Sequence, residues 1–130
     1  MAKQELGKKQ ILVIEPDPLM YHQLIERLGL LLQNYNVFCV RSWSEASVYA
    51  KVIRQDIIVL GTIRNDEPTT IGRWVDRIAL CCDEAKFVLF LAENMVPQNS
   101  CVKAIVRKPQ IRTLAKAIDF LLSPTAIVAP

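Results

Sequence analysis

A chain of 130 residues that is 52% hydrophobic can bury the core of one domain without disulfide or metal staples, and one domain is expected. Its 16 Lys and Arg against 13 Asp and Glu leave a formal net charge of +3, too slight a basic excess to mark a nucleic-acid binder. Cys39, Cys81, Cys82 and Cys101 show no C-x-x-C spacing, and the single histidine, His22, has no Cys or acid at ligand spacing, so neither a metal nor another cofactor is expected. The cysteines read as small buried hydrophobes of a reducing cytosol.

The polar leader Met1 to Gln10 gives way to Ile11-Leu12-Val13-Ile14, a buried strand too short for a signal-peptide core or a membrane span, and a cytoplasmic location is expected. Glu15-Pro16-Asp17-Pro18 turns strand into helix. Pro18 suits the first helical position, where its missing N–H would find no partner anyway, and Asp17 suits the N-cap before it. Met20, Leu24, Leu28, Leu31 and Leu32 recur at helical spacing until Asn34-Tyr35-Asn36 ends the helix. Val37 to Val40 is a second strand. Ser42-Trp43-Ser44-Glu45 then fits a capping box, and the helix it opens presents Ala46, Tyr49, Ala50 and Ile53 inward.

Asp56-Ile57-Ile58-Val59-Leu60-Gly61-Thr62 is the central strand. An apolar run without polar alternation is buried on both faces, as in a parallel sheet covered by helices. Ile71, Trp74, Val75, Ile78 and Cys82 mark a third helix, Phe87 to Ala92 a fourth strand and Ala104-Ile105-Val106 a fifth. Ile111, Leu114, Ala115, Ile118, Leu121 and Leu122 form the inner face of a last helix that Ser123-Pro124 stops. Strands alternating with amphipathic helices imply a three-layer α/β sandwich with right-handed crossovers. The segment Glu93 to Lys103 is near the minimum crossover length and contains Pro97, so the helix expected there is shortened or lost. The domain is expected over residues 11–123, after a flexible leader 1–10 and before a tail 124–130 that reads as a linker stub or flexible end of an N-terminal regulatory piece.

In open parallel sheets the functional site forms at the carboxyl ends of the strands, which places Gly61 and Thr62 there. With Ile11-Leu12-Val13-Ile14-Glu15-Pro16-Asp17-Pro18, Ser42-Trp43-Ser44-Glu45-Ala46 and Arg107-Lys108-Pro109 in place, the chain resembles the receiver domain of bacterial response regulators over nearly its whole length. The resemblance implies a flavodoxin-like, doubly wound five-stranded sheet of order 2-1-3-4-5. It also implies a pocket in which an aspartate ending the third strand accepts phosphate, paired acids after the first strand hold magnesium, and a hydroxyl and a lysine follow the fourth and fifth strands. Here Gly61 stands in place of the phosphoacceptor, Pro16 in place of the second metal-binding acid and Leu91 in place of the hydroxyl, while Glu15 and Lys108 remain. Glu15 with Asp17 cannot assemble the hard-oxygen array that magnesium demands. Lys108 is expected to pair with Glu15, and Asp17 to cap a helix.

The resulting expectation is a pseudo-receiver: no catalytic residue, and signalling by protein binding without phosphorylation. Two alternatives stand beside it, a conventional phosphorylated receiver and a flavodoxin-like small-molecule binder, although no Gly-rich phosphate cradle follows the first strand. From Asn94 to Ile118 there is no acid, and Lys103, Arg107, Arg112 and Lys116 are expected to form a basic strip that meets an acidic protein partner or a second copy in a homodimer. Should that strip fail, the first helix around Tyr21, His22 and Gln23 is the next surface to consider.

Overall fold

The computed structural model describes residues 8–62, 67–82, 84–92 and 99–123. Its elements are β1 (Gln10–Ile14), α1 (Pro18–Leu31), β2 (Asn36–Val40), α2 (Trp43–Val52), β3 (Ile57–Gly61), α3 (Pro68–Ala79), β4 (Lys86–Leu91), β5 (Val102–Arg107) and α4 (Ile111–Leu122). All strand pairings are parallel and the sheet order is β2-β1-β3-β4-β5, with β3 at its centre. This is the flavodoxin-like order that the resemblance implies.

The sheet's two faces explain why the strands carry no polar alternation. Ile11, Val13, Ile57, Val59, Val88, Phe90 and Val106 pack under α1 and α4, meeting Leu24, Leu28, Leu114 and Ile118. Leu12, Ile14, Ile58, Leu60, Phe87, Leu89 and Leu91 pack under α2 and α3, meeting Ala46, Ala50, Ile71, Val75 and Ile78. Every β3 residue is buried, because a central strand faces a helical layer on each side.

Local chemistry sets the element ends. The Asp17 carboxylate accepts the Leu19 N–H at 3.2 Å and Pro18 opens α1. At α2 the Ser42 hydroxyl accepts the Glu45 N–H at 3.1 Å. The return arm of this box reaches one residue further back than expected, since the Glu45 carboxylate takes the Arg41 N–H at 3.2 Å. Ile53 is a correction to the expected inner face of α2. The helix ends at Val52, and Ile53 is its extended cap residue, 37% exposed. Asp56 precedes β3 and does not belong to it. Its carboxylate accepts the Gln10 N–H at 2.8 Å and so ties the start of β1 to that of β3.

The expected leader boundary also moves. Gln10 lies in β1 and the Lys9 carbonyl accepts the Asn36 N–H at 3.0 Å, so ordered pairing begins before residue 11. The expected irregular crossover falls largely on residues 93–98, which lie outside the described residues, as do residues 1–7 and the tail 124–130. Its described end is a turn in which the Asn99 side-chain oxygen accepts the Cys101 N–H at 2.9 Å, after which β5 begins with a register shift opposite Phe87 and Val88.

The layered core predicts a sharp contrast between two phenylalanines. Phe87 is fully buried, and Phe87→Ala should cost about 3–5 kcal/mol in chemical denaturation. Phe120 on the outer face of α4 is 65% exposed, and Phe120→Ala should stay within about 0.5 kcal/mol of the parent.

Candidate functional site

The carboxyl ends of β1, β3 and β4 converge on Lys108, which follows β5. Its ammonium donates to Glu15 Oε2 at 2.6 Å and to the Thr62 carbonyl oxygen at 2.6 Å, and its backbone N–H donates to the Leu91 carbonyl at 2.8 Å. One residue therefore ties the ends of three strands together. The Lys108 side chain is 10% exposed and Glu15 fully buried, and the Lys108–Pro109 peptide is cis.

Glu15 lies where the sheet leaves room for it. Its backbone N–H donates to the Val40 carbonyl at 2.9 Å, which fixes the main chain, and Oε2 also accepts the Asp17 N–H at 3.1 Å. The other oxygen, Oε1, is buried without a hydrogen-bond partner and faces Gly61. A Cβ at Gly61 would overlap Oε1, and would stand 2.9 Å from the Glu15 carboxyl carbon and 2.9 Å from the Ile14 carbonyl oxygen. Only glycine leaves this space open, and the glutamate side chain fills it. Burial pushes the Glu15 carboxyl above its ordinary value of 4.5, while the hydrogen bond and charge of Lys108 pull it the other way.

Thr62 and Leu91 are equally committed. Thr62 is buried, its hydroxyl accepts the Ala92 N–H at 2.9 Å, and its own N–H donates to Phe90 at 3.1 Å. Leu91 is buried in the layer under α2 and α3. The structure thus links Glu15 to Gly61 and to Lys108, and Lys108 in turn to the Thr62 and Leu91 carbonyls. The Asp17 carboxylate turns to the α1 cap instead.

The magnesium of phosphoryl chemistry does not fit these residues. Glu15 is enclosed by Lys108 and Gly61, Asp17 caps a helix, and no group of three or more His, Cys, Asp or Glu at metal-binding reach occurs among the described residues.

The four cations expected to form one strip divide between two surfaces. In β5, Val106 packs under α4, so Arg107 stands on the opposite face beside Leu91, while exposed Lys103 sits at the register shift with its ammonium on the Ser100 carbonyl at 3.0 Å. Arg112 and Lys116 line a groove between α4 and the Leu31–Tyr35 segment instead, together with Asp119. The chain reverses between β5 and α4, so neighbours in sequence face different layers. In that groove the Tyr35 hydroxyl donates to Asp119 at 2.5 Å, which pushes the phenol up to about 12.

No protein-family model matches the sequence, and no curated protein matches it. Solved structures do match. A CheY-like response regulator receiver domain protein from Methanospirillum hungatei superposes with a TM-score of 0.73 at 14% identity, covering 95% of this chain and 100% of that one. The pilus assembly protein CpaE from Caulobacter crescentus gives 0.68 at 16% identity, covering 86% and 98%. A structure of the histidine kinase ThkA in complex with the response regulator TrrA gives 0.70 at 20% identity, covering 88% and 99%. Similarity at these identities defines the fold, and the fold is that of receiver domains. Among the described residues no helix is long and apolar enough to cross a membrane.

Removing Lys108 separates the two opposed influences on Glu15. Lys108→Met leaves a buried carboxylate without its cation, and at pH 8 it should cost about 3–5 kcal/mol. A carboxyl whose folded value lies above its unfolded one binds its proton more tightly when folded, so stability falls as pH rises from about 4.5 through the folded value. The cost of Lys108→Met should accordingly shrink on acidification toward pH 4.5, and Glu15→Gln/Lys108→Met should lose that pH dependence. Thermal melts of the three proteins across this range check it, and a cost independent of pH would contradict the assignment.

Proposed function

We propose that this chain is a pseudo-receiver, a receiver-like signalling module that acts by binding other proteins and needs no phosphorylation. The observation that carries the reading is Glu15 filling the space over Gly61 under the clamp of Lys108, because the position that ends β3 then offers neither a carboxylate nor room for one. Glu15, Asp17, Gly61, Thr62, Leu91 and Lys108 are on this reading the remnant of a phosphorylation pocket.

The module is not an enzyme on this reading, and a cytoplasmic location suits it. The solved neighbours lend support in two ways. One is a response regulator held in a complex with its kinase, so this fold presents protein-binding surfaces. Another is a pilus assembly protein, so the fold also serves in proteins not described as response regulators.

Acetyl phosphate and beryllofluoride should both leave the protein unmodified, and millimolar magnesium should leave its melting temperature unchanged. Intact-mass spectrometry and thermal melts read these outcomes. A gain of one phosphate mapped to residues 56–66 would overturn the reading in favour of a conventional receiver. Gly61→Asp should not create a phosphoacceptor by itself, since its side chain meets Glu15 and the Ile14 carbonyl, and it should instead lower the melting temperature.

A further inference from the structure

Between α2 and α3 the surface opens into a groove of about 510 Å³, walled by Ser44, Ser47 and Lys51 from α2 and by Trp74 and Arg77 of α3 with its C-cap residue Leu80. Both walls follow helical stripes, so the groove runs along the two helices. The α2 wall is low, because its serines are small and the Ser47 hydroxyl is turned back onto the Trp43 carbonyl at 3.2 Å. The α3 wall is apolar and prominent. Leu80 is 88% exposed, and Trp74 leans on Trp43 with ring centroids 5.2 Å apart.

The charge of the groove is one-sided. Lys51 and Arg77 line it, and no carboxylate is among its described lining residues. The Arg77 guanidinium lies 5.3 Å over the Trp74 ring, and among the described residues neither Arg77 nor Lys51 has a carboxylate partner. An apolar trough between two unneutralised cations is complementary to a helix with an apolar stripe flanked by acids, and i, i+3, i+7 anchors match a groove about two turns long.

We propose that the α2–α3 groove docks an acidic amphipathic helix of a partner protein. This deepens the protein-binding reading above and rests on it. The other basic surfaces fit such a partner less well. Asp119 partly offsets Arg112 and Lys116, and Lys103 stands apart from them at the register shift of β5. A nucleic-acid strand fits less well too, because tracking its phosphates takes a row of cations where the groove has two.

A phage library of helix-forming peptides about four turns long, selected on the full 130-residue chain, tests the proposal. The selected peptides, resynthesised and labelled, should carry an apolar stripe flanked by Asp and Glu, and amide chemical-shift changes should centre on α2 and α3. Lys51→Glu/Arg77→Glu should weaken their binding roughly tenfold or more and flatten its salt dependence. Leu80→Asp should weaken it independently of charge, and neither variant should shift the melting temperature, since all three positions are exposed. The proposal is overturned if no peptide is selected, if the peptides are neutral or basic, if binding survives both variants, or if a labelled oligothymidine competes for the groove. Peptides mapping to another face would remove the groove and keep the protein-binding reading, whereas phosphorylation of the chain would remove pseudo-receiver status and leave the peptide result standing.

Discussion

The carboxyl end of the sheet is organised by one contact, the Lys108 ammonium shared between the Glu15 carboxylate and the Thr62 carbonyl. A buried carboxylate is costly, and the cost is offset only where a cation and hydrogen bonds meet it at good geometry. Glu15 has a cation at 2.6 Å and a backbone donor at 3.1 Å on one oxygen, and no partner on the other. A carboxylate half satisfied in this way is held in place by its surroundings. The Val40 carbonyl of β2 fixes its backbone, Gly61 supplies the volume, and Lys108 spans the ends of β1 and β3 from the end of β5. Any two of these without the third leaves a clash, a void or an unpaired charge.

This end of the molecule is separable from what makes the fold. The two apolar layers contain none of Glu15, Thr62 or Lys108, and the strand order follows from crossovers whose helices bury Leu24, Val75 and Ile118 regardless of the chemistry at the strand ends. A buried ion pair is in any case weak evidence for stability, since an apolar replacement of similar volume often does as well. The closed pair at the strand ends and the layers that make the fold can therefore vary independently, and on the proposed reading the departures from a phosphorylation pocket are confined to a few side chains, Gly61, Pro16 and Leu91.

The sequence was informative wherever one residue's chemistry decides the local outcome. The unbroken apolar runs gave β1, β3 and β4, Ser42 with Glu45 marked the start of α2, and Asp17-Pro18 marked that of α1. The ion pair between Glu15 and Lys108 was legible too, because a resemblance puts both at strand ends. What could not be read were relations that need three dimensions. That Gly61 makes room for Glu15 depends on a parallel pairing of β1 with β3 that sets Leu60 beside Ile14. The only hint in the sequence is a long acid on one strand end and a residue without a side chain on the other. Lys103, Arg107, Arg112 and Lys116 looked continuous because they are close along the chain, yet the reversal after Pro109 sends them to different layers. Ile53 fitted the helical period and still fell outside α2, since periodicity does not locate the last turn.

A closed pocket changes what regulation the domain can support. A ligand moves a conformational equilibrium only by binding two states with different affinity, and in a phosphorylated receiver the added charge supplies that difference. In the proposed pseudo-receiver the Lys108 ammonium is engaged by Glu15 and the Thr62 carbonyl, and the Thr62 hydroxyl is held by the Ala92 N–H. The cation that ties these strand ends, Lys108, is therefore already engaged. On the proposed reading partner choice falls to the helical faces, and the α2–α3 groove combines the exposed Leu80 with Lys51 and Arg77.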